Sequence, residues 1–430
     1  MSDSSPVVIV GGGPAGSATA AFLARAGVAV TVLDRARFPR DKPCSEYMSP
    51  QASRILDELG VLRRIEVAGA AHLSGMRVRA PNGTTFAGRF AEAEKLGGYR
   101  AYRDRGLALR RTILDGLLLD RARELGATVE EGARVTALRR DAGGRVTGVD
   151  VLDANGRARS IPAALVIGAD GLRSIVSRRL GVAKTRRAQR RLALVTHYTG
   201  MAAIGDSGEM HVEHDGYIGL ADVGGGVTNV AVVVPASRGR GAAGDPAAFL
   251  ESWIRRRPHL AHRFTHATRV SPVLATGPFA SAVRRAWAPG AAMVGDAADF
   301  FDPFTGEGIY AALRGAELLT PHAIEAITTR SARIADRALR SYDVERVREF
   351  RGKWAVERII GAAVSFPALM NLAARSLSLR PAMAHTLVGV TGDFVPAHEV
   401  LRPGFLLRLM LPWTLGRPNV APPLSDGDPS

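Results

Sequence analysis

The stretch that decides the fold lies near the start of the chain and runs Val7-Val8-Ile9-Val10-Gly11-Gly12-Gly13-Pro14-Ala15-Gly16. Its four apolar residues predict a buried parallel strand. The alanine-rich residues 14–26 predict a helix, and the apolar residues 28–33 predict the next strand. Strand, glycine turn, helix and strand in this order predict a dinucleotide-binding βαβ unit.

Each residue of the glycine turn has a physical role in holding a diphosphate. Gly11 permits the tight turn, Gly13 lets the main chain approach the anion, and Gly16 lets the helix lie close to the sheet. Pro14 and Ala15 begin the helix, whose free N–H groups and positive dipole end attract the same diphosphate.

The adenosine end of the cofactor is predicted at the end of the second strand. Asp34 lies there, about twenty residues beyond the glycines, where a carboxylate accepts hydrogen bonds from ribose hydroxyls. An acid at this position disfavours a 2′-phosphate. Asp34 and the adjoining Arg35 are therefore expected to bind the cofactor.

Two more motifs follow in the chain. The first, after the apolar residues 164–167, runs Gly168-Ala169-Asp170-Gly171-Leu172-Arg173-Ser174. The second runs Met293-Val294-Gly295-Asp296-Ala297-Ala298 and continues through Asp302-Pro303-Phe304-Thr305-Gly306-Glu307-Gly308.

The three motifs, in this order, resemble those of a large class of FAD-dependent oxidoreductases that contains class A flavoprotein monooxygenases, flavin-dependent halogenases and geranylgeranyl reductases. The resemblance covers most of residues 6–320. It implies that FAD is the cofactor. It also implies that four further residues lie near FAD, namely Arg111, Val135, Asp170 and Gly171.

The third motif is expected at the flavin itself. The Asp296 carboxylate can accept a hydrogen bond from a ribityl hydroxyl, and Gly295 leaves room for it. Gly306, Glu307 and Gly308 open a predicted helix that continues through Ile309 to about residue 319. Its N–H groups would face the pyrimidine edge of the flavin and stabilise the reduced anion.

The charge of the chain does not indicate nucleic-acid binding. The formal net charge is +16, from 57 basic and 41 acidic residues, but only four of the basic residues are lysines. The arginines are scattered, and no basic run is interleaved with aromatic residues. A solvated surface is the favoured interpretation, and attraction to anionic lipid headgroups stays open. The histidines form no pattern typical of metal ligands, so no metal is predicted.

The composition of the chain predicts where in the cell the protein is located. A single cysteine allows no intrachain disulfide, which predicts a cytoplasmic protein. No signal peptide is recognised before Val7. The uncharged stretch of residues 359–374 contains Pro367 and is too short to span a bilayer. Peripheral membrane contact stays open, and the sequence does not indicate an oligomeric state.

The predicted fold class is α/β. A discontinuous, Rossmann-like FAD-binding domain with a mainly parallel sheet is expected over residues 1–75, 100–180 and 281–345. Residues 76–99 and 181–280 are rich in short strands and predict an antiparallel β-sheet domain that binds the substrate. Residues 346–430 predict a C-terminal helical region with a frayed end.

The segment Phe38-Pro39-Arg40-Asp41-Lys42-Pro43-Cys44 resembles the geranylgeranyl reductases, in which a cysteine of this loop can lie near the flavin. Cys44, Pro303, Gly306 and Gly308 are accordingly the candidate catalytic residues. Two departures weaken the match. Ser45 replaces a glycine, and the Tyr-x-Trp-x-Phe pattern of prenyl reductases is reduced to Tyr217-Ile218-Gly219-Leu220.

Two reactions are predicted with equal weight. In one, reduced FAD saturates a carbon–carbon double bond of an apolar small molecule, with NAD(P)H or another donor as reductant. In the other, a flavin C4a-hydroperoxide hydroxylates or epoxidises an aromatic, polyketide-like or isoprenoid molecule. A flavin-binding electron carrier is a minor alternative, because a carrier needs no substrate domain.

Overall fold

The computed structural model describes residues 5–185, 191–242, 244–277, 279, 281–300 and 303–411. The strands are β1 (Val7–Val10), β2 (Val30–Asp34), β3 (Tyr47–Met48), β4 (Ala71–Leu73), β5 (Gly75–Arg79), β6 (Thr85–Arg89), β7 (Gly106–Ala108), β8 (Thr128–Glu131), β9 (Arg134–Arg140), β10 (Val146–Leu152), β11 (Ala158–Pro162), β12 (Leu165–Gly168), β13 (Ala183–Thr185), β14 (Arg191–Thr199), β15 (Ser207–Glu213), β16 (Gly216–Asp222), β17 (Val227–Pro235), β18 (Thr268–Arg269), β19 (Leu274–Thr276), β20 (Ser281–Val283), β21 (Trp287–Ala288), β22 (Ala291–Met293) and β23 (Asp299–Phe300).

The helices are α1 (Pro14–Arg25), α2 (Ala52–Glu58), α3 (Leu62–Val67), α4 (Phe90–Gly97), α5 (Arg111–Glu124), α6 (Ile175–Arg179), α7 (Pro246–Arg255), α8 (Pro258–Ala261), α9 (Gly308–Thr328), α10 (Ala332–Ser365), α11 (Pro367–Leu379), α12 (Pro381–Thr391), α13 (His398–Leu401) and α14 (Pro403–Met410).

The first layer is the predicted parallel sheet, in the order β21-β22-β12-β1-β2-β8. Strand β1 lies between β2 and β12, parallel to both, and all four of its side chains are buried. A central parallel strand is covered on both faces, which explains its continuous run of β-branched residues. Only the short edge strand β21 is antiparallel to its neighbour. The prediction of a mainly parallel, Rossmann-like sheet is confirmed.

The second layer is a larger sheet in the order β18-β14-β17-β16-β15-β5-β6, with β19 also paired to β14. Its pairs are antiparallel except for β15 and β5, which come from distant parts of the chain and run parallel. The side chains of β16 and β17 alternate between two faces. One face packs on α7 through Ile218, Leu220 and Val232, and the other faces the first layer.

The C-terminal helices cover the end of the second sheet. The predicted division between residues 345 and 346 falls inside α10, because no proline interrupts that helix before Pro367. At Pro367 the chain does break, and this part of the predicted helical region is therefore two helices, α10 and α11. Among the described helices, none is by itself long and apolar enough to cross a membrane, and α10 and α11, which pass that test together, meet at 113°. The final residues, including Trp413, lie outside the described part of the chain.

Candidate FAD and substrate site

A long cavity separates the two sheets, and the N-termini of α1 and α9 both face it. Gly13, the N-cap of α1, has no side chain with which to cap the helix. Glu307, the N-cap of α9, makes no side-chain capping bond among the described residues. Both helices therefore present free N–H groups and positive dipole ends to the cavity. Twelve of the predicted residues line it: Gly13, Pro14, Ala15, Cys44, Arg111, Gly171, Gly295, Asp296, Gly306, Glu307, Gly308 and Ile309.

Two guanidinium groups converge on the glycine turn. A Cβ atom added to Gly13 would lie 3.3 Å from Nη2 of Arg40 and 3.8 Å from Nη2 of Arg111. Arg111 forms a bidentate pair with the buried Asp115, at 2.6 and 2.8 Å, and Arg40 lies 3.1 Å from the same carboxylate. Burial lowers the pKa of Arg111, but attraction to Asp115 and Cys44 outweighs it, so this pKa is raised. Two fixed cations beside an uncapped helix suit a diphosphate.

The adenosine end of the site is built from main-chain contacts. Asp34 accepts hydrogen bonds from the N–H groups of Gly12, at 2.7 Å, and Ala36, at 2.8 Å. It thereby fixes the glycine turn to the end of β2. Arg35 is exposed at the surface, and Val135 packs in the core opposite Val151 of the neighbouring strand. These three predicted residues, together with Gly11 and Gly16, lie outside the cavity lining.

Gly11 and Gly16 act through close packing. A Cβ atom on Gly11, where φ is +105°, would lie 2.5 Å from the carbonyl oxygen of Ala169. A Cβ atom on Gly16 would overlap the carbonyl oxygen of Gly11. The turn therefore tolerates no larger residue at these two positions.

The second motif places Gly171 at the cavity and Asp170 behind it. Asp170 accepts a hydrogen bond from the N–H of Ile175 at 2.5 Å and so ties the motif to α6. Burial raises the pKa of Asp170, and its hydrogen bonds oppose that rise. Gly171 lines the cavity, whereas the predicted cofactor-binding residue Asp170 does not.

The third motif begins with a carboxylate paired to a lysine. Asp296 lies 3.5 Å from Nζ of Lys42, and both side chains remain partly exposed. Gly295 has φ +63°, and a Cβ atom there would lie 2.8 Å from the Cβ of Ala15. This contact brings the third motif against the start of α1, so that Asp296 and the glycine turn share one end of the cavity.

The start of α9 is held by a lysine from α10. Nζ of Lys353 lies 3.9 Å from Oε2 of the buried Glu307, pairs with the buried Asp393, and sits 4.4 Å above the ring centre of Tyr310. Burial raises the pKa of Glu307, and attraction to Lys353 opposes the rise. Burial also lowers the pKa of Lys353, against attraction from Glu307.

The candidate catalytic residues lie on two segments that meet at the cavity. Cys44 and Arg111 both line the wall, and Sγ of Cys44 accepts the N–H of Glu46 at 3.3 Å. Gly306, with φ +72°, lies against Tyr47, whose ring would be 3.1 Å from an added Cβ atom. Gly308 is the first residue of α9. Pro303 begins a short 3₁₀ turn ahead of it.

The wall opposite the cofactor loops is the second sheet. Small side chains form its centre, where Gly219 of β16 pairs with Ala231 of β17 and Ala221 pairs with Asn229. Aromatic rings bound it. Tyr217 packs edge-on against Phe304 with ring centres 5.1 Å apart, and Phe279 lies 5.1 Å from Phe300.

A second cavity lies under the C-terminal helices and meets the first. It is lined almost entirely by apolar atoms, and Met76, Phe304 and Thr305 border both cavities. Its remaining lining residues come from β5, β6, α10, α11, α12, α13 and α14: Val78, Phe86, Val356, Ile359, Ile360, Ala363, Met370, Ala373, Leu377, Leu387, Val388, Thr391, Val400, Leu401, Phe405, Leu406 and Leu409.

Three basic residues at this site were not predicted from the sequence. Arg40 and Lys42 lie in the same loop as Cys44, but nothing in their spacing distinguishes them from the many other basic residues of the chain. Lys353 is far from every motif. The only signal for it was its rarity, since the chain has four lysines in all. Within the described residues, His, Cys, Asp and Glu side chains form no group of three or more that could hold a metal ion.

The residues present fit FAD. An uncapped helix with two guanidinium groups suits its diphosphate. The partly exposed carboxylate of Asp296 lines the cavity and can accept a hydrogen bond from a ribityl hydroxyl beside its pair with Lys42. The α9 N-terminus suits the electron-rich pyrimidine edge of a reduced flavin. A parallel sheet with this site and a second sheet closing the cavity defines a two-layer FAD-dependent oxidoreductase.

Comparison with known proteins agrees. The model of the FAD binding domain family matches residues 4–351, and the chain belongs to this family. It is 31% identical over 334 residues to a menaquinone reductase of Mycolicibacterium smegmatis, covering 74% of this chain and 77% of that protein. It is 28% identical over 365 residues to digeranylgeranylglycerophospholipid reductase 1 of Methanococcoides burtonii, covering 83% and 82%. The crystal structure of a flavoprotein/dehydrogenase from Cytophaga hutchinsonii superposes with a TM-score of 0.79 at 19% identity, covering 91% of this chain and 93% of that one. The predicted family, fold class and enzyme class are confirmed.

Proposed function

We propose that this enzyme reduces a carbon–carbon double bond in a small molecule that carries a long apolar chain, with NAD(P)H or another donor reducing the flavin. The observation that carries the proposal is the second cavity. Its lining is almost wholly apolar, and it adjoins the FAD cavity at Met76, Phe304 and Thr305. A hydrocarbon chain buried there would leave the double bond beside the flavin, and its burial is worth about 0.8 kcal/mol for each methylene group.

The residues of the first cavity divide the remaining tasks. Arg40, Arg111 and the α1 N-terminus hold the diphosphate, and Asp296 holds the ribityl chain. When bound and reduced, FAD supplies a hydride to one carbon of the double bond. Cys44 holds a proton on Sγ at the cavity wall, and this proton completes the addition at the other carbon. The product gains two hydrogen atoms, and the thiolate regains its proton from solvent.

The relatives support this reaction class. One is a reductase of menaquinone, and the other is a reductase of a phospholipid named for its geranylgeranyl groups. Both similarities extend over about three quarters or more of the present chain.

One observation favours the second candidate, oxygen-dependent hydroxylation or epoxidation of an aromatic or polyketide-like molecule. Gly219 and Ala221 stand where the prenyl-reductase pattern carries Trp and Phe, and both line the FAD cavity. The cavity floor beside Ala231 therefore lacks the two large side chains of that pattern, which leaves more room there for a ring system.

Turnover in the absence of oxygen distinguishes the proposed reductase reaction from the oxygen-dependent reaction. Holoenzyme reduced with dithionite under argon is mixed with a polyisoprenoid alcohol or a polyprenyl quinone, and the product is weighed by mass spectrometry. The proposal expects a gain of two hydrogens for each flavin reoxidised. If flavin is reoxidised only after oxygen is admitted, and the product gains an oxygen atom, the reductase proposal is wrong.

A further inference from the structure

One buried carboxylate joins the two layers beside Cys44. Glu46 is 1% exposed and has φ +62°, a left-handed conformation that residues other than glycine seldom adopt. Such a conformation persists only where surrounding contacts hold it. Each oxygen of the Glu46 carboxylate has its own partners, and they come from different parts of the fold.

On the cofactor side, Glu46 holds the start of α5. Its Oε1 accepts the N–H of Arg111 at 2.8 Å, at the positive end of the helix. Its own N–H donates to Sγ of Cys44 at 3.3 Å. The same residue thus contacts both the main chain of Arg111 and the thiol of Cys44.

On the substrate side, Glu46 is bound by two neighbouring strands. His197 of β14 and Asn229 of β17 are cross-strand partners. Nε2 of His197 lies 2.8 Å from Oε2 of Glu46, and Nδ2 of Asn229 donates to the same oxygen at 3.0 Å. Asn229 also donates to the carbonyl oxygen of Cys44 at 2.9 Å, and it lines the FAD cavity.

The far side of the histidine is also fixed. Nδ1 of His197 lies 2.9 Å from Oγ of Ser271, which in turn contacts Thr196. Both oxygens of Glu46 already accept hydrogen bonds, from Arg111 and from Asn229, so Nε2 of His197 is assigned as a further donor to Oε2. With both ring nitrogens engaged, His197 cannot turn without breaking a hydrogen bond.

We infer that Glu46 is a positioning residue, which holds the Cys44 thiol at the cavity wall and links it through Asn229 and His197 to the sheet that receives the substrate. The role of Cys44 in turnover rests on the proposed function, but its placement does not.

Because Cys44 is the only cysteine, alkylation of the holoenzyme by iodoacetamide reports on this one thiol. Glu46→Gln keeps the size and shape of the side chain but replaces one carboxylate oxygen with an NH₂ group. This group is a donor and cannot accept the hydrogen bonds that Arg111, His197 and Asn229 direct at the carboxylate. Asn229→Ala removes both bonds from β17 and leaves the α5 contact intact. We expect both variants to retain FAD and to change the alkylation rate at least fivefold. Glu92→Gln, at an exposed pair with Lys95, is the control and should leave the rate unchanged.

Turnover supplies the second measurement. If Glu46 is a positioning residue, kcat should fall at least tenfold in Glu46→Gln and Asn229→Ala. KM should stay within twofold of wild type, and both variants should keep their full flavin absorbance. If Glu46→Gln does not fold, the alkylation rate and kcat of Asn229→Ala test the inference on their own. Unchanged alkylation and unchanged kcat in a folded, yellow Asn229→Ala variant would overturn the inference. Absence of reductase turnover in the wild type would refute the proposed function alone, since the alkylation result stands without it.

Discussion

The two walls of the FAD cavity are built by opposite means. The cofactor wall consists of three loops that follow parallel strands, and its fit depends on main-chain atoms and on glycines such as Gly11 and Gly16. The substrate wall consists of side chains from the second sheet and from helices near the C-terminus. The first wall is fixed by local sequence, whereas the second exists only once distant segments have packed. Substitutions on the cofactor wall should therefore lower stability and FAD binding, whereas substitutions on the substrate wall should lower activity.

The largest effect is expected on the cofactor wall, from Gly16→Ala. The added methyl group would overlap the carbonyl oxygen of Gly11, and main chain cannot move aside as a side chain can. We expect a loss of more than about 3 kcal/mol of stability, and protein that is insoluble or colourless. Thermal unfolding and flavin absorbance measure both results.

Gly116→Ala is the matched control, because Gly116 lies within α5 and an added Cβ atom there meets no neighbour within 4 Å. It should gain up to about 1 kcal/mol. A Gly16→Ala variant as yellow and as stable as wild type would mean that the turn is not closely packed.

The cofactor wall was also the part that could be predicted from the sequence. Strand β1, the glycine turn and the start of α9 each depend on neighbours in the chain, so spacing located Gly13, and the resemblance to FAD-dependent oxidoreductases located Asp296 and Gly306. Arg40 could not be found in this way. Its position beside Gly13 depends on the path of a loop, and among so many arginines its identity carries no information.

The second prediction concerns Lys353→Met, where the substrate-side helices reach the cofactor wall. The change leaves two buried carboxylates, Glu307 and Asp393, without their cation. Breaking a buried pair in this way costs about 3–5 kcal/mol. We expect a lower melting temperature and partial loss of FAD on dialysis.

Lys95→Met is the control for Lys353→Met. Lys95 pairs with Glu92 at the surface, and such pairs are worth about 0–1 kcal/mol. Equal melting temperatures in the two variants would show that the Lys353 pairs contribute nothing.

The third prediction isolates the substrate wall. Ala373→Phe places a ring in the second cavity, to which Ala373 contributes. Flavin absorbance should stay unchanged, whereas kcat/KM should fall at least tenfold, equivalent to about 1.4 kcal/mol, for a long-chain substrate and remain near wild type for a short-chain analogue. Ala382→Phe, on an exposed position of α12, should alter neither. Equal losses for both chain lengths would remove the second cavity from the substrate site.

The substrate wall could not be predicted from the sequence, because it is formed by contacts between distant residues. Segments 76–99 and 181–280 were predicted as one strand-rich domain, but no local pattern pairs β5 with β15 or brings Phe405 to Val78. These contacts form between residues more than a hundred positions apart. The sequence predicted a helical region from residue 346 onward but did not indicate that a cavity lies beneath its helices.

The smallest effect is expected on the outer face of the substrate sheet, away from the cavity. Burial is the main cause that lowers the pKa of His259 to about 4, and the nearby positive charges of Arg79 and Arg257 add to it. The folded protein therefore resists protonation of His259 more than the unfolded chain does. This contribution to stability is complete above about pH 6.5 and is lost as the pH falls from there toward 4.

His259→Gln tests this assignment by its effect on the pH dependence of unfolding. The His259 side chain is 28% exposed, so solvent screening limits the difference to about 1 kcal/mol. The neighbouring Glu213 opposes it, since burial raises the pKa of that carboxyl, which therefore favours the folded state at lower pH. Urea unfolding at pH 7.5 and pH 4.5 should show the wild type losing about 1 kcal/mol more than His259→Gln on acidification, with flavin absorbance equal in both at pH 7.5. Parallel losses in the two proteins would mean that His259 is protonated as readily in the folded protein as in the unfolded chain, and that the acid sensitivity of this sheet arises elsewhere.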